Sequence, residues 1–219
     1  MARNTDNQKT SKSAQTKRHI VSSFLRLMDK KPWEKITVIE ICRQADITRG
    51  TFYQYFGDIY DLVEQLEESL LNDLKTRLGS VSRHSGIRYR TDDFLTKYDA
   101  TPPRSFLAWF EFCRDHRDAV IALLDRKNGD AYFVKKLKVL LKTSIEEVMD
   151  ADATANDDLR AHFVSVFLDL HLLGAQSWLE ADPSENDYLS VDDIVNILNT
   201  MRVGAQYLAW RDLQKEIKE

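Results

Sequence analysis

The stretch TVIEICRQADITRGTFYQYF, residues 37–56, decides the fold because it contains two short helices and the break between them. Thr37–Glu40 has the spacing of a capping box, which predicts a helix that begins just after its threonine. Asp46 interrupts the apolar pattern, and Thr48 then stands at the N-cap of a second predicted helix, Arg49–Tyr55. Helices this short are marginal alone and need a third helix to pack on. The stretch therefore predicts a helix-turn-helix unit.

A third helix is predicted before this stretch. Apolar side chains recur at steps of three and four from Thr16 onward, until Pro32 ends the pattern. Phe52 and Phe56 are expected to face this helix and to belong to the core. Residues 1–15 are polar with almost nothing apolar, which predicts a disordered tail.

The rest of the chain is predicted to be helical as well. Asp58 can cap a connecting helix over residues 58–79, and residues 80–100 have no clear period, which indicates a loop with one turn at Asp93–Tyr98. Further amphipathic stretches follow, with no convincing strand. The sequence therefore predicts an all-α chain of about nine to ten helices. Its predicted parts are the tail 1–15, a helix-turn-helix domain 16–57, the connecting helix 58–79 and a helical domain 80–219.

The charge of the chain is unevenly distributed. The whole chain of 219 residues carries a formal net charge of −4. Residues 1–57 contain 11 Lys and Arg against 5 Asp and Glu, which gives +6, so the remaining residues carry −10. A basic N-terminal part on an acidic chain predicts a localised surface that binds a polyanion. The alternative is chance clustering of solvated charges.

Several function classes lack their sequence signatures. Cys42 and Cys113 fit neither a disulfide framework nor zinc spacing. The chain has no Gly-rich phosphate loop, no nucleophile elbow and no His-Glu-x-x-His or paired Glu-x-x-His motif. We therefore expect no enzyme, no metal and no cofactor. The absence of an apolar stretch near 20 residues, or of a secretory signal, predicts no membrane partner and a cytoplasmic location.

One pattern of residues in the N-terminal part indicates function more specifically than the charge distribution does. Thr51-Phe52-Tyr53 is followed by Phe56 and Leu62, and is preceded by Thr37, Ile41 and Ala45. With this pattern, residues 16–64 resemble the N-terminal DNA-binding domain of TetR-family transcriptional regulators. The resemblance implies an all-helical homodimer whose helix Arg49–Tyr55 enters the major groove. It also implies a ligand cavity in the C-terminal domain and a dimer interface made by the last two long helices.

The resemblance places the DNA contacts on and around the second short helix. Arg49 can read a guanine with two hydrogen bonds, and Gly50 lets the backbone approach the duplex closely. Ile59 stands where the family commonly has a phosphate-contacting lysine, and Lys17 or Arg18 could compensate. The alternatives are a solvated charge for the arginine and ordinary packing for the tyrosines. The candidate DNA-binding residues are Thr37, Thr48, Arg49, Gly50, Thr51, Tyr53, Gln54, Tyr55, Lys17 and Arg18.

An aromatic-rich group in the C-terminal domain is the candidate effector pocket, because such groups bind apolar or aromatic ligands. His171 is its most notable polar member, since it lies on a helix that the family uses for both pocket and dimer. The alternatives are a plain packed core and a structural histidine. The candidate pocket residues are Phe106, Trp109, Phe110, Cys113, Phe133, Leu137, Phe163, Phe167 and His171.

The candidate dimer interface combines two helices. The last helix has a heptad-like apolar seam behind a second capping box at Ser190–Asp193. On the helix before it, Gly174 fits close helix approach and Trp178 fits an interface anchor. The alternative is that the seam belongs to the core of one chain. The candidate interface residues are Leu170, Gly174, Trp178, Ile194, Leu198, Met201, Ala205 and Leu208.

Together these features predict a ligand-responsive transcriptional repressor. It would bind a palindromic double-stranded DNA operator as a homodimer and leave it when a small-molecule effector, whose identity the sequence does not reveal, tilts the helix 58–79. The alternative is a helical dimeric interaction protein whose helix-turn-helix has weak or no specific DNA binding. Ile59, in place of the usual lysine, keeps that alternative open.

Overall fold

The computed structural model describes the backbone of residues 3–81, 101–151, 158–182, 184 and 188–216. It describes the side chains of residues 12–80, 101–150, 158–182, 184 and 188–204. These residues form nine α-helices and one 3-10 turn with no strand among them, which confirms the predicted all-α class. No helix in the described ranges is long and apolar enough to cross a membrane. The predicted turn at Asp93–Tyr98 lies outside the described residues.

The helices follow one another with short connections where the chain is described. The 3-10 turn at Trp33–Lys35 joins the first two. The α-helices are α1 (Arg3–Met28), α2 (Val38–Gln44), α3 (Arg49–Tyr53), α4 (Ile59–Val81), α5 (Arg104–Asp115), α6 (Arg117–Leu124), α7 (Ala131–Ala151), α8 (Asp158–Glu180) and α9 (Val191–Glu216).

The first helix begins much earlier than the sequence pattern predicts. It starts at Arg3, whereas the sequence pattern predicts a helix only from Thr16 and a disordered tail over residues 1–15. The segment has no glycine or proline to interrupt a helix, and the packed part of α1 follows it directly. Thr16 Oγ1 also donates a hydrogen bond to the Lys12 carbonyl at 3.0 Å. A polar composition therefore does not prevent a helix that grows from a buried one.

The chain divides into two compact units. The N-terminal unit consists of Met1–Asn72 and Asp118–Val134, and the C-terminal unit of Asp73–Arg117 and Lys135–Glu219. The sequence pattern instead assigns the segment Asp118–Val134 to the C-terminal domain. Helix α4 contributes residues to both units.

The N-terminal unit is held by apolar side chains from its first four helices. Ile20 and Phe24 of α1, Phe52 of α3, Phe56 and Leu62 are all buried, as expected for the two phenylalanines. Helix α2 packs against α1 and α3. Each fully buried side chain of this size stabilises by about 1.5–3 kcal/mol. The two short helices are therefore fixed from one side.

The turn between α2 and α3 is a Schellman motif. The Ile47 amide donates to the Cys42 carbonyl at 3.0 Å and the Asp46 amide to the Arg43 carbonyl at 3.4 Å. Asp46 has a φ of 49°, the left-handed conformation that such a helix end requires. Asp tolerates this conformation better than most residues because its short polar side chain can bond locally. The break that the sequence pattern predicts at Asp46 thus has a defined geometry.

In the C-terminal unit α5, α8 and α9 pack against one another. Helix α5 ends at Asp115 and α6 begins at Arg117, so His116 separates the two helices. The Arg117 guanidinium donates to the Leu179 carbonyl at the end of α8, with Nε at 2.9 Å. Arg77 of α4 bonds Asp115 at 2.9 Å, and this hydrogen bond lowers the pKa of the Asp115 carboxyl. Side-chain bonds thus fix several helix ends of this unit.

The turn before α7 needs glycine at position 129. A Cβ there would lie 2.3 Å from the Asp125 carbonyl oxygen and 2.6 Å from that of Leu123, and both are backbone atoms that cannot swing away. We expect Gly129→Ala to lower the free energy of unfolding by about 1–3 kcal/mol. Urea unfolding at fixed protein concentration measures this loss.

Gly79 provides the matched control. A Cβ at Gly79 meets nothing within 4 Å, and the residue lies in α4. Gly79→Ala should therefore stabilise by up to about 1 kcal/mol. Equal stability of the Gly129→Ala variant and the unchanged chain would contradict the close approach.

Candidate nucleic-acid interface

Helix α3 has one buried and one exposed side. Phe52 is 0% exposed, whereas Arg49, Tyr53 and Gln54 are exposed, Tyr53 to 55%. The side chains of Arg49 and Gln54 make no hydrogen bond or ion pair with the rest of the described chain. A short helix that is packed on one side and presents an arginine, a tyrosine and an amide on the other is suited to enter a DNA groove. Tyr55 is partly buried.

The hydroxyl groups at the start of α3 form hydrogen bonds that cap this helix. Thr48 Oγ1 accepts a hydrogen bond from the Thr51 amide at 3.1 Å and shares another with Thr51 Oγ1 at 2.9 Å. The N-cap predicted for Thr48 is thus confirmed. Gly50 is exposed, and an added Cβ would only touch Thr48 Oγ1 at 3.7 Å. No atom in the described part of the chain comes close enough to require glycine at this position.

Thr37 is engaged in the capping box of α2. Its Oγ1 accepts from the Glu40 amide at 3.3 Å, while its own amide donates to Glu40 Oε2 at 2.9 Å. Lys31 Nζ lies 2.7 Å from Glu40 Oε1. Hydrogen bonds from Lys31, and then from Thr37, lower the pKa of Glu40 to about 2, so this carboxylate stays ionised. The predicted capping box is confirmed, and Thr37 orients α2.

Lys17 and Arg18 of α1 are exposed, and each makes a hydrogen bond within the chain. Lys17 Nζ donates to Gln65 Oε1 at 2.6 Å and lies 5.3 Å from the centre of the Phe56 ring. Arg18 Nε donates to the Ala14 carbonyl at 3.4 Å, and its side chain is exposed. Both remain cationic groups at the surface of the N-terminal unit, as a phosphate contact needs.

At the start of α4, Ile59 occupies the position at which the family commonly has a phosphate-contacting lysine. Ile59 is partly exposed, and next to it Tyr60 is 67% exposed with its ring edge-on to Trp33 at 5.4 Å. Asp58 accepts from the Asp61 amide at 2.8 Å. Hydrogen bonds from the Gln65 side chain and then from the Gly57 amide lower the pKa of Asp61. Two carboxylates therefore flank the position where the family commonly has a cation.

Sequence reasoning missed several exposed groups of the N-terminal unit. Tyr60 was not a candidate, and neither were Arg43 and Gln44, which are exposed at the end of α2. Tyr60 follows the capping Asp58 by two residues, so the sequence already places it in the first turn of α4. His19 was also missed: its Nε2 lies 3.1 Å from the Ala45 carbonyl and links α1 to the end of α2.

The C-terminal unit brings most of the candidate pocket residues together. Phe106, Phe110, Phe163 and Phe167 form ring contacts around His171, directly or through one another. Trp109, Cys113 and Leu137 are buried in the same unit. Phe133 is buried too but belongs to the N-terminal unit. Burial raises the pKa of the Cys113 thiol well above its usual value, so this cysteine is an apolar packing group.

His171 is a neutral buried histidine. It is 2% exposed, and its Nδ1 lies 2.8 Å from the Phe167 carbonyl oxygen. Burial lowers its pKa from 6.5 to about 4. Because a carbonyl oxygen can only accept, Nδ1 carries the hydrogen and Nε2 is the bare nitrogen.

The pKa of His171 makes the stability of the chain acid-sensitive. The unfolded chain binds the proton near pH 6.5 and the folded chain only near pH 4, so stability falls as the pH is lowered between these values. We expect a loss of roughly 3 kcal/mol that levels off below pH 4. Urea unfolding at several pH values measures it. The His171→Phe variant should lack this part of the pH dependence, and identical curves for both proteins would refute the assignment.

The candidate dimer residues differ in their placement. Trp178, Ile194 and Leu198 are buried within one chain, and Trp178 Nε1 donates to the Leu189 carbonyl at 2.7 Å. These three side chains thus pack inside the unit, because α8 and α9 bury one face against each other and α5. Leu170 and Gly174 are partly exposed and Met201 is exposed, while the side chains of Ala205 and Leu208 lie outside the described residues.

A second apolar face on these helices contains one predicted interface residue, Met201, and four residues that were not predicted. Leu159, Val166 and Leu173 of α8 are exposed and spaced seven residues apart, and Ile197 of α9 is exposed beside Met201. The spacing of seven was visible in the sequence.

Similarity to known structures extends over most of the chain, and a family model matches part of the N-terminal unit. Residues 20–66 match the family model described as bacterial regulatory proteins, tetR family. A TetR transcriptional regulator from Streptococcus agalactiae shares 20% identity at a TM-score of 0.54, covering 90% of this chain and 98% of that one. A tetR-family regulator from Streptomyces coelicolor shares 16% identity at a TM-score of 0.55, covering 94% and 86%. No curated protein sequence matches the chain.

Proposed function

Because the chain belongs to the TetR family of transcriptional regulators through its N-terminal domain, we propose that it is a ligand-responsive repressor. It binds a palindromic operator as a homodimer in the cytoplasm and releases the operator when a small molecule binds the C-terminal unit. The observation that carries this proposal is the exposed side of α3, where Arg49, Tyr53 and Gln54 are exposed next to a buried Phe52. Such a regulator is not an enzyme.

On the DNA side, Arg49 is the group most suited to read sequence. Its guanidinium can bond O6 and N7 of a guanine together, which discriminates the base by about 1–3 kcal/mol. Tyr53 and Gln54 follow on the same exposed side. Gly50 lets the backbone come close, while Lys17 and Arg18 supply positive charge for phosphates. The remaining candidates, Thr37, Thr48 and Thr51, act by fixing the ends of α2 and α3.

On the assembly side, the exposed apolar face of α8 and α9 supports a homodimer. We name it the α8–α9 face and define it by Leu159, Val166, Leu173, Ile197 and Met201. Exposed apolar groups that line up on neighbouring helices mark an interaction surface. A two-fold pair of copies buries the same face on both chains and presents two recognition helices to two half-sites.

On the effector side, the aromatic group around His171 supports a binding site for a small molecule. A ligand that binds the free form better than the DNA-bound form shifts the equilibrium away from the operator. A coupling free energy of about 1–3 kcal/mol lowers the operator affinity several-fold to about a hundredfold. We propose this coupling as the basis of regulation.

Titration of a fluorescent duplex from the region upstream of its own gene, over a series of salt concentrations, tests the proposal. If Lys17 and Arg18 of both protomers contact phosphates, the affinity should fall with salt at a log–log slope of about −4. The Arg18→Gln variant should lose about 2 from that slope, with its sequence preference unchanged. Arg18 suits this test because its side chain is exposed and bonds only one backbone carbonyl among the described residues.

The residues at the start of α4 support a second candidate function. Ile59 replaces the usual cation, and Asp58 and Asp61 lie beside it with their carboxylates. These groups favour a helical dimeric interaction protein with weak DNA binding. Equal affinity for the upstream duplex and a random duplex, with little salt dependence, would support this function over the first.

A further inference from the structure

We propose that the C-terminal unit binds an uncharged aromatic molecule with a hydroxyl group, and that this hydroxyl donates its hydrogen to His171 Nε2. The inference rests on the proposed function, since it names the chemical class of the effector. The binding group is one buried acceptor in an aromatic surrounding.

The surrounding of His171 is formed by phenylalanine rings. The centre of its ring lies 4.7 Å from that of Phe106, 4.5 Å from Phe167 and 6.4 Å from Phe110. Phe163 stacks on Phe167 at 5.1 Å and is partly exposed, so the group extends from the core toward the surface. Aromatic walls of this kind favour a flat apolar ligand.

The hydrogen bond of His171 fixes which nitrogen faces the ligand. Nδ1 donates to the Phe167 carbonyl on the preceding turn of α8, so the neutral ring leaves Nε2 as an acceptor. The side chains in ring contact with it are all phenylalanines and bring no charge. A carboxylate ligand would meet the lone pair of Nε2 and be repelled, whereas a hydroxyl can donate to it.

The acceptor has no partner in the described part of the chain. His171 Nε2 is buried and makes no hydrogen bond there. An unpaired acceptor in an apolar surrounding destabilises the chain, and a ligand that pairs it removes this penalty. Trp109 Nε1 is the other buried side-chain atom without a partner among the described residues, but it is a donor. The two orphaned atoms therefore predict opposite ligand groups.

Three probes with the same alkyl-aromatic body test the proposal: 4-propylphenol, propylbenzene and 4-propylbenzoate. Binding to the full chain is measured by calorimetry at pH 7. We expect the phenol to bind at least roughly 10-fold more tightly than propylbenzene, and the benzoate to bind more weakly than both. In the His171→Phe variant the preference for the phenol should fall below about twofold, while propylbenzene still binds.

His162→Phe is the matched control, because it makes the same substitution on α8 at an exposed histidine outside the candidate pocket. This variant should retain the preference for the phenol. The proposal is overturned if none of the probes binds, if the benzoate binds best, if the preference survives in His171→Phe, or if it disappears in His162→Phe. Urea unfolding of both variants first establishes that they fold.

The same probes separate this inference from the proposed function. Calorimetry on the free chain reports the His171 site without any DNA. Release of a labelled operator by 4-propylphenol reports the coupling. Binding with the expected preference but without release would leave the site in place and refute the ligand-responsive switch.

Discussion

Arg49→Ala is expected to weaken operator binding by roughly 30-fold to 10⁴-fold. One arginine that reads a guanine contributes about 1–3 kcal/mol, and a dimer loses this contact in both half-sites, about 2–6 kcal/mol in total. Because the Arg49 side chain makes no hydrogen bond or ion pair among the described residues, the fold should keep its stability. Fluorescence anisotropy with operator variants measures the affinity. The discrimination at one base pair of each half-site should disappear.

Arg126→Ala is the control for this prediction. Arg126 is exposed in the turn before α7, and its replacement removes the same charge. We expect at most a small, sequence-independent loss. If both variants lose affinity equally on all duplexes, Arg49 acts only as a general positive charge. If neither loses affinity, α3 is not the reading helix.

Val166→Glu is expected to raise the dimer dissociation constant at least about 100-fold. Val166 lies in the middle of the α8–α9 face and is 60% exposed in one chain. Two copies of a buried valine contribute about 3 kcal/mol or more, and two buried carboxylates would add a desolvation penalty. Sedimentation over a range of concentrations measures the constant. Operator affinity should fall as well, because separated chains bind the half-sites one at a time.

Val139→Glu is the matched control on another helix. Val139 of α7 is 64% exposed, so the same substitution introduces the same charge at a similar exposure away from the α8–α9 face. Its dimer constant should stay unchanged. A stable dimer of the Val166→Glu variant, or dissociation of the Val139→Glu variant, would place the interface elsewhere.

Local spacing in the sequence was enough to predict the helix-turn-helix. The capping boxes at Thr37–Glu40 and Ser190–Asp193 involve only side chains and amides within one turn, and both are present. Phe52 and Phe56 were assigned to the core correctly, because a short helix can bury only one side. The TetR-type resemblance of this part is confirmed by the family match.

Features that depend on residues far apart in the sequence could not be predicted from local spacing. Trp178 could anchor either a dimer or a core, and only the packing of α8 against α5 and α9 decides that it lies inside one chain. The start of α1 at Arg3 depends on the packed helix that follows. The polar composition of residues 1–15 alone does not reveal this dependence. The tautomer of His171 depends on where the Phe167 carbonyl points. The residues of the pocket and of the α8–α9 face remain predictions.

The two-sided character of α3 has a consequence for how such a regulator diverges. Substitutions at Phe52 destabilise the fold because that side chain is fully buried, whereas the side chains of Arg49, Tyr53 and Gln54 are exposed. Mutations at exposed positions away from packing usually change stability by less than about 0.5 kcal/mol. Gene duplicates can therefore acquire new operators by drift at these three positions while the fold is preserved. Under the proposed function, operator preference is thus the property that substitutions can change with the smallest loss of stability.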